Sequence, residues 1–398
     1  MGNEKKVDTV VRYSPLDIPK IVRAHWNAVP KEPVHFIGEP STVKSASVFQ
    51  EAKALAVGKN KKFFEWNRAT LTEKKAIMND PSGHFIFADL RASETDIGEL
   101  RLQDMQTGES FITFKYNILF DAMSRPSAEG ILFFDEMNLA PNMIKAQFYK
   151  IINDRAVGDI PIADGILCIS AGNEAEHARG VTEDPVPLVL RRGNYFVRPL
   201  TPEEYTDYAV TTGHHEWVIG YLGFQPQDVH KVEYELPDSV GQPCARTWSK
   251  MSNILKHNAS LPAEDVEMIA TGLLGQGIAR KFGAYVRSAK SVNLAEIIAK
   301  PELIKKYEDN EELSLLYAII SGVVEKFRSE PKVIKPAFEM SLHLSKVEFG
   351  SYLLRSLKNI DKKQFMKAGS SALDKVLVDK VIDRYAKFIF KDADVEAS

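Results

Sequence analysis

The chain has 398 residues, 44% of them hydrophobic, which is an ordinary globular composition with room for two or three domains and a sizeable core. Its formal net charge of −3 leaves no electrostatic footprint for duplex nucleic acid, and its two cysteines make neither a disulfide framework nor a metal-ligand set, as befits a reducing, cytoplasmic setting. No apolar run approaches the roughly 18 residues of a membrane helix, and the polar opening at 1–6 lacks a signal-peptide hydrophobic region.

Residues 1–15 are polar and read as a loose leader. The spacing of Leu16, Ile18, Ile21, Val22 and Trp26 predicts a helix over 16–29, stopped by Pro30 and Pro33. Next, 34–38 reads as a short buried strand, 39–43 as a tight loop, and Lys44-Ser45 as the start of a helix running to about Val57. This is the layout of a phosphate-binding loop, spanning Gly38, Glu39, Pro40, Ser41, Thr42, Val43, Lys44, Ser45 and Ala46. Backbone N–H groups and the positive helix end cradle phosphates, the lysine adds a point charge, and the serine hydroxyl reaches Mg2+. The strict pattern has glycine where Val43 stands, and many ATPases carry glycine where Ser41 stands.

Residues 58–82, rich in Lys and Asn, read as an insertion or a long helical connection. A second strand is expected at 84–91, a polar segment at 92–108, a helix at 115–124, and a third strand at 131–134 ending on Asp135-Glu136. A helix follows over about 141–153, a small hairpin over 154–165, a fourth strand at 166–171 ending near Asn173, and a fifth at 195–200. Five short apolar strands separated by helices predict a parallel sheet covered on both faces. The polar residues collect after the carboxyl ends of strands one, three and four, where open α/β sheets bind ligands. From Thr201-Pro202-Glu203-Glu204, a helix-start signal, the chain reads as helical to the end. The boundaries read are 1–200, 201–300 and 301–398. Leu373, Leu377, Val381, Tyr385 and Phe388 form one stripe of a last helix that needs a partner surface.

Each polar group has a chemistry. Asp135 can hold Mg2+ with Ser45, and Glu136 can polarise an attacking water. Asn173, at a neighbouring strand tip, can orient that water and touch a γ-phosphate. Arg191 and Arg192 precede the fifth strand and can serve as an arginine finger for a neighbouring subunit. Arg246, opening a helix in the helical unit, can reach a γ-phosphate. Singly, each also reads as an ordinary surface or turn residue, and His214-His215 read as surface or lid residues with no third metal ligand.

In order and strand placement these motifs resemble the AAA+ ATPases, and within them the MoxR-like group. The resemblance runs through 131–140 (Walker B strand and an Asn-x-Ala extension), 171–174 (sensor 1), 187–192 (finger) and 245–248 (sensor 2). It extends through 272–275 and 279–282, covers roughly residues 15–300 and thins out beyond. It implies an α/β P-loop NTPase (AAA+) core with a five-stranded parallel sheet, a helical lid and a helical C-terminal region. It also implies ATP and Mg2+ as ligands, nucleotide at the subunit interfaces of a ring (usually a hexamer), and chaperone-like remodelling of a partner, commonly a von Willebrand factor A-domain protein. The departure is in the loop. A β-branched valine resists positive φ, and strain of about 1–3 kcal/mol follows if the glycine conformation is needed. The alternatives are a nucleotide-binding or inactive AAA+ scaffold, a metal-chelatase-type ATPase subunit, and a DNA-processing motor, the last disfavoured by the acidic balance.

Overall fold

Near-continuous apolar runs on short strands build the sheet of the first unit. The computed structural model describes residues 10–91, 101–104, 113–116, 118–158, 160–174, 184–234, 240–258, 260–366 and 375–389. The chain divides into two compact units, 1–199 and 200–398. The first contains β1 (Arg12–Tyr13), α1 (Ile18–Asn27), β2 (Val34–Gly38), α2 (Lys44–Gly58), β3 (Lys62–Glu65), α3 (Leu71–Asn79) and β4 (His84–Arg91). It continues with β5 (Arg101–Asp104), β6 (Thr113–Tyr116), α4 (Ile118–Met123), β7 (Glu129–Asp135) and α5 (Asn142–Asp154). Then come β8 (Ala156–Val157), β9 (Ile160–Pro161), β10 (Ile166–Gly172), α6 (Val186–Val189) and β11 (Gly193–Val197).

Seven strands form one parallel sheet in the order β1-β11-β2-β10-β7-β4-β3. The period of two sorts the side chains. Ile131 and Phe133 join Val34, Phe36 and Ile169 on one face, under Ile18, Val22 and Trp26 of α1 and Val48 and Ala52 of α2. Leu132 and Phe134 join Ile166 and Cys168 on the other, under Leu119 and Phe120 of α4 and Ile144 and Phe148 of α5. Both faces are therefore buried, and the near-continuous apolar strands follow from that.

The five strands expected from sequence are the middle five, and the sheet has two more. β1 lies within the segment read as a leader. Two residues give no alternation to read, yet Arg12 pairs with Phe196 and Tyr13 with Val197, and Tyr13 packs edge-on to Tyr195 at 5.6 Å. β3 lies within the segment read as an insertion. Phe63 turns to Phe49 (5.5 Å) and Phe64 to Trp66 (6.0 Å), one to each face, so this stretch is a strand and not a helical connection. Thr70 and Glu73 then form a capping box that opens α3. The expected helix at 115–124 begins only at Ile118, since residues 113–116 pair antiparallel with 101–104. The small hairpin is present as β8 and β9.

The second unit is helical: α7 (Pro202–Thr211), α8 (Glu216–Phe224), α9 (Ala245–His257), α10 (Ala263–Leu274), α11 (Gln276–Lys290) and α12 (Leu294–Ala299). It goes on through α13 (Ile304–Asp309), α14 (Leu313–Ser329), α15 (Ile334–His343), α16 (Val347–Ile360) and α17 (Lys375–Ile389). Thr201 caps α7, its hydroxyl accepting from Glu204 N at 3.2 Å while Glu204 accepts from Thr201 N at 2.8 Å. The sequence boundary at Pro301 is not a boundary between compact units, because α14 packs along α8 and α11. Tyr221, Trp248 and Phe282 form an aromatic centre with ring separations of 5.3–5.5 Å. On α17, Val381 and Tyr385 are buried against α15 and α16, whereas Phe388 is half exposed and Leu373 lies outside the described residues. His214 is buried rather than on the surface, held between Thr212 and Ser249 at 2.9 Å each, and burial pushes its pKa down to about 4. No helix among the described residues is long and apolar enough to cross a membrane.

Removing the Phe282 ring should leave a cavity in that aromatic centre. Phe282→Ala is expected to cost the second unit about 3–5 kcal/mol in urea unfolding. A loss below about 1 kcal/mol would show that the ring is not a core element.

Candidate active site

The loop after β2 is preformed. Gly38 closes the strand against β11, and a Cβ there would fall 2.2 Å from Val197 O, so only glycine fits. Ser41 and Val43 both sit in the left-handed region, at φ +66° and +64°. The valine thus adopts the conformation the missing glycine would have, and the strain falls on the folded loop itself. Polar contacts hold it there. Thr42 Oγ1 donates to Glu39 O at 2.9 Å, and Lys44 Nζ donates to Gly38 O (2.9 Å), Glu39 O (2.8 Å) and Thr42 Oγ1 (3.0 Å). Lys44 is buried by this inward turn. Helix α2 starts at Lys44 with no side-chain cap and no acid in its first turn, so its first N–H groups keep the partial positive charge of a helix start.

The strand tips bring the next residues together. Ser45 Oγ donates to Asp135 Oδ2 at 2.7 Å, joining the helix start to the end of β7 across β10. Asp135 Oδ1 accepts from Glu136 N at 3.0 Å, and Glu136 itself stands at φ +55°. A left-handed glutamate at a strand end is a strained conformation that turns its side chain out of the strand direction. Asn138 then clamps the neighbouring tip. Its side-chain N–H donates to Asn173 O and its Oδ1 accepts from Asn173 N at 3.1 Å. A Cβ on Gly172 would meet that amide at 2.9 Å, so a glycine precedes Asn173. Glu174 is bound by Arg12 of β1 through two hydrogen bonds, 2.6 and 3.0 Å.

The two arginines part company. Arg191 is exposed, its guanidinium 4.9 Å above the Tyr149 ring. Arg192 is buried and pairs with Asp184, which also binds Lys145 Nζ at 2.9 Å and lies 3.8 Å from His35 Nε2. Burial and its carboxylate partner thus hold Arg192 inside the first unit, whereas the Arg191 side chain is exposed. Burial, then the Arg192 charge, depress the His35 pKa well below its ordinary value, so the ring is neutral. Burial alone would raise the Asp184 carboxyl, but Arg192 and Lys145 outweigh it and hold it below its usual range. Arg246 is exposed on the first turn of α9, in the second unit.

Sequence reasoning passed over Asp89, Lys145 and Asp184, and quoted Asn138 only as part of a motif. Asp89 lies two residues before the end of β4, beside β7, with its backbone held by Asn67 at 2.6 and 2.8 Å. Burial, then the nearby Asp135 charge, push its carboxyl up to about 6. Lys145 had a readable signal, since it stands three and seven residues before the buried Phe148 and Ile152 on one helical face.

No protein-family model matches the chain, and no curated protein matches it. Among solved structures it is similar to the ORC2 protein of Aeropyrum pernix, at 11% identity over 98% of this chain and 97% of that one, with a TM-score of 0.35. It is similar to Cdc6p of Pyrobaculum aerophilum, at 12% identity over 96% and 88%, TM-score 0.36. The Thermotoga maritima RuvB Holliday junction branch migration motor matches at 13% identity over 67% of each chain, TM-score 0.29. At TM-scores this low the likeness carries no argument, and the fold stands on strand order and burial.

Two outcomes follow from the geometry. Because Val43 already holds positive φ, Val43→Gly is expected to raise stability by about 1 kcal/mol while changing the affinity for any nucleotide the loop binds less than about threefold. Urea melts and a nucleotide titration check both, and a gain in affinity above about tenfold would show that valine crowds the ligand. For Asp89 the folded pKa of about 6 exceeds the unfolded value of about 4. Stability is then fully present below about pH 4 and falls as pH rises through about 6. A dry site would lose about 3 kcal/mol, and partial exposure reduces this to about 1–2 kcal/mol. Asp89→Asn should recover that amount at pH 8 and almost nothing at pH 4; equal effects at both would refute the shift.

Proposed function

We propose that this chain is a MoxR-like AAA+ ATPase that binds Mg-ATP in the loop 38–46 and hydrolyses it to remodel a partner protein. The observation that carries the reading is the contact of Ser45 Oγ with Asp135 Oδ2 at 2.7 Å. It sets two oxygen donors side by side at an uncapped helix start, beside a buried lysine. Such an oxygen-only pair suits a hard cation, so Ser45 and Asp135 would hold Mg2+, directly or through water, to neutralise phosphate charge.

The loop N–H groups of 41–46, at the α2 start, would bind the phosphates. Lys44, released from Gly38 O and Glu39 O, would turn its ammonium to them. Glu136 would take the proton of the attacking water, and Asn173, its backbone held by Asn138, would orient that water. Arg191 would act as the finger from a neighbouring copy in a ring, taken as a hexamer. The role of Arg246 as sensor 2 rests on the sequence resemblance, as do the division into an ATPase domain, a lid and a C-terminal extension, and the von Willebrand factor A-domain partner. A second reading, a nucleotide binder with negligible turnover, is favoured by the inward engagement of Lys44 with its own loop.

Mg-ATP binding and steady-state phosphate release on the full chain separate the two. Lys44→Ala is expected to weaken ATP binding at least about 100-fold, since a charged hydrogen bond to phosphate is lost. Glu136→Gln is expected to bind ATP as the wild type does and to lose about 100-fold or more in turnover. Normal turnover in Glu136→Gln removes the base assignment, and absence of binding at millimolar ATP removes the ATPase reading.

A further inference from the structure

We infer that Asp184 is a positioning residue for Arg191, acting through a buried ion cluster that seats the turn on which Arg191 stands. The inference rests on the assignment of Arg191 as the finger. Arg191 is flanked by pinned residues on both sides. Leu188 is fully buried. Asn194 Nδ2 donates to Val189 O at 2.7 Å and to Arg192 O at 2.9 Å, closing the turn around Arg191. Arg192 Nε donates to Asn194 Oδ1 at 3.1 Å, so the same amide is locked to the buried guanidinium. That guanidinium in turn pairs with Asp184.

One carboxylate serves two buried cations, Arg192 and Lys145, beside a neutral histidine. For stability alone this is a poor choice, because apolar residues of similar volume would often do as well. What the ions add is direction. Helix α5 contributes Lys145 to the carboxylate and, one turn on, Tyr149 to the Arg191 face. The segment is thus gripped from beneath while the Arg191 side chain remains exposed. The cluster also borders the catalytic tips. Arg192 Nη1 lies 3.4 Å from Met137 Sδ and 3.4 Å from Ser170 Oγ, and Ser170 Oγ lies 2.7 Å from His35 Nδ1. Met137 adjoins Glu136, Ser170 stands three residues before Asn173, and His35 three before Gly38.

The test uses full-length chains and ATP, with phosphate release as readout. Asp184→Asn and Arg192→Lys should each lower kcat at least about 10-fold with KM for ATP changed less than about threefold, because the finger acts on the transition state. The decisive arm is mixing. An excess of Lys44→Ala chains, whose own loops are dead but whose Arg191 seats are intact, should restore turnover at the sound loops of either variant to within about threefold of wild type. A merely structural defect would not be rescued this way. Unchanged kcat in both variants, or a loss that Lys44→Ala chains fail to restore, overturns the inference. Where Asp184→Asn fails to fold, Arg192→Lys keeps the buried charge and carries the test alone. An inactive wild type sinks the ATPase reading instead, so the two failures are told apart.

Discussion

A parallel sheet forces every strand to end on the same edge, and the candidate site depends on that constraint. Gly38, Asp89, Asp135 and Gly172 each fall at or near the carboxyl end of a different strand. Antiparallel neighbours would have scattered them to opposite edges. The order then sets which tips are close. β10 lies between β2 and β7, so the reach from Ser45 to Asp135 spans two strand spacings, about 10 Å. Only a helix opening directly off the β2 loop bridges that gap, and Asn173 is left between its ends. The buried apolar faces make this arrangement rigid, since neither face can slip by one residue without exposing phenylalanines.

On that edge the backbone is locally costly. Ser41, Val43 and Glu136 all hold positive φ, at about 1–3 kcal/mol each for residues with a side chain. The cost persists because the surroundings determine it: Lys44 ties the loop to three of its own oxygens, and Asp135 holds Glu136 N. A valine in place of glycine therefore weighs on folding rather than on ligand capture. The loop is built in advance, and what a phosphate would have to displace is the lysine's own bonds to carbonyl oxygens. Those bonds are a modest competitor, because a neutral carbonyl attracts an ammonium far less than a phosphate does.

The legible parts of the chain were those where one local rule sufficed. Ile131–Phe134 announces a buried strand by composition, and Thr201-Pro202-Glu203-Glu204 announces a helix start by capping chemistry. Tertiary context decided the rest. Arg12-Tyr13 is too short to show a period, and becomes a strand only because β11 offers it partners. Phe63-Phe64 among lysines looked like a connection, and becomes a strand because both sheet faces want an aromatic there. At the site, the Ser45–Asp135 contact links residues 90 positions apart, and no spacing rule predicts its distance. Asp89 was invisible for the same reason: its raised pKa comes from burial beside a strand 40 or more residues later.

The arginine pair shows how little identity says about role. Arg191 and Arg192 are adjacent, equally charged and equally able to reach a phosphate as written. Their strand-side neighbours separate them. Arg192 falls where a helix lysine, a loop aspartate and two strand residues converge, and desolvating it without Asp184 would be prohibitive. Arg191, one residue earlier, is exposed and lies over the ring of Tyr149. An arginine stacked on an aromatic face keeps its hydrogen-bond donors at the rim of the plane, held in direction but not spent. That division, one arginine as the buried anchor and its neighbour exposed, is available only to a pair, and it supplies a physical reason for two arginines in succession in the turn between α6 and β11.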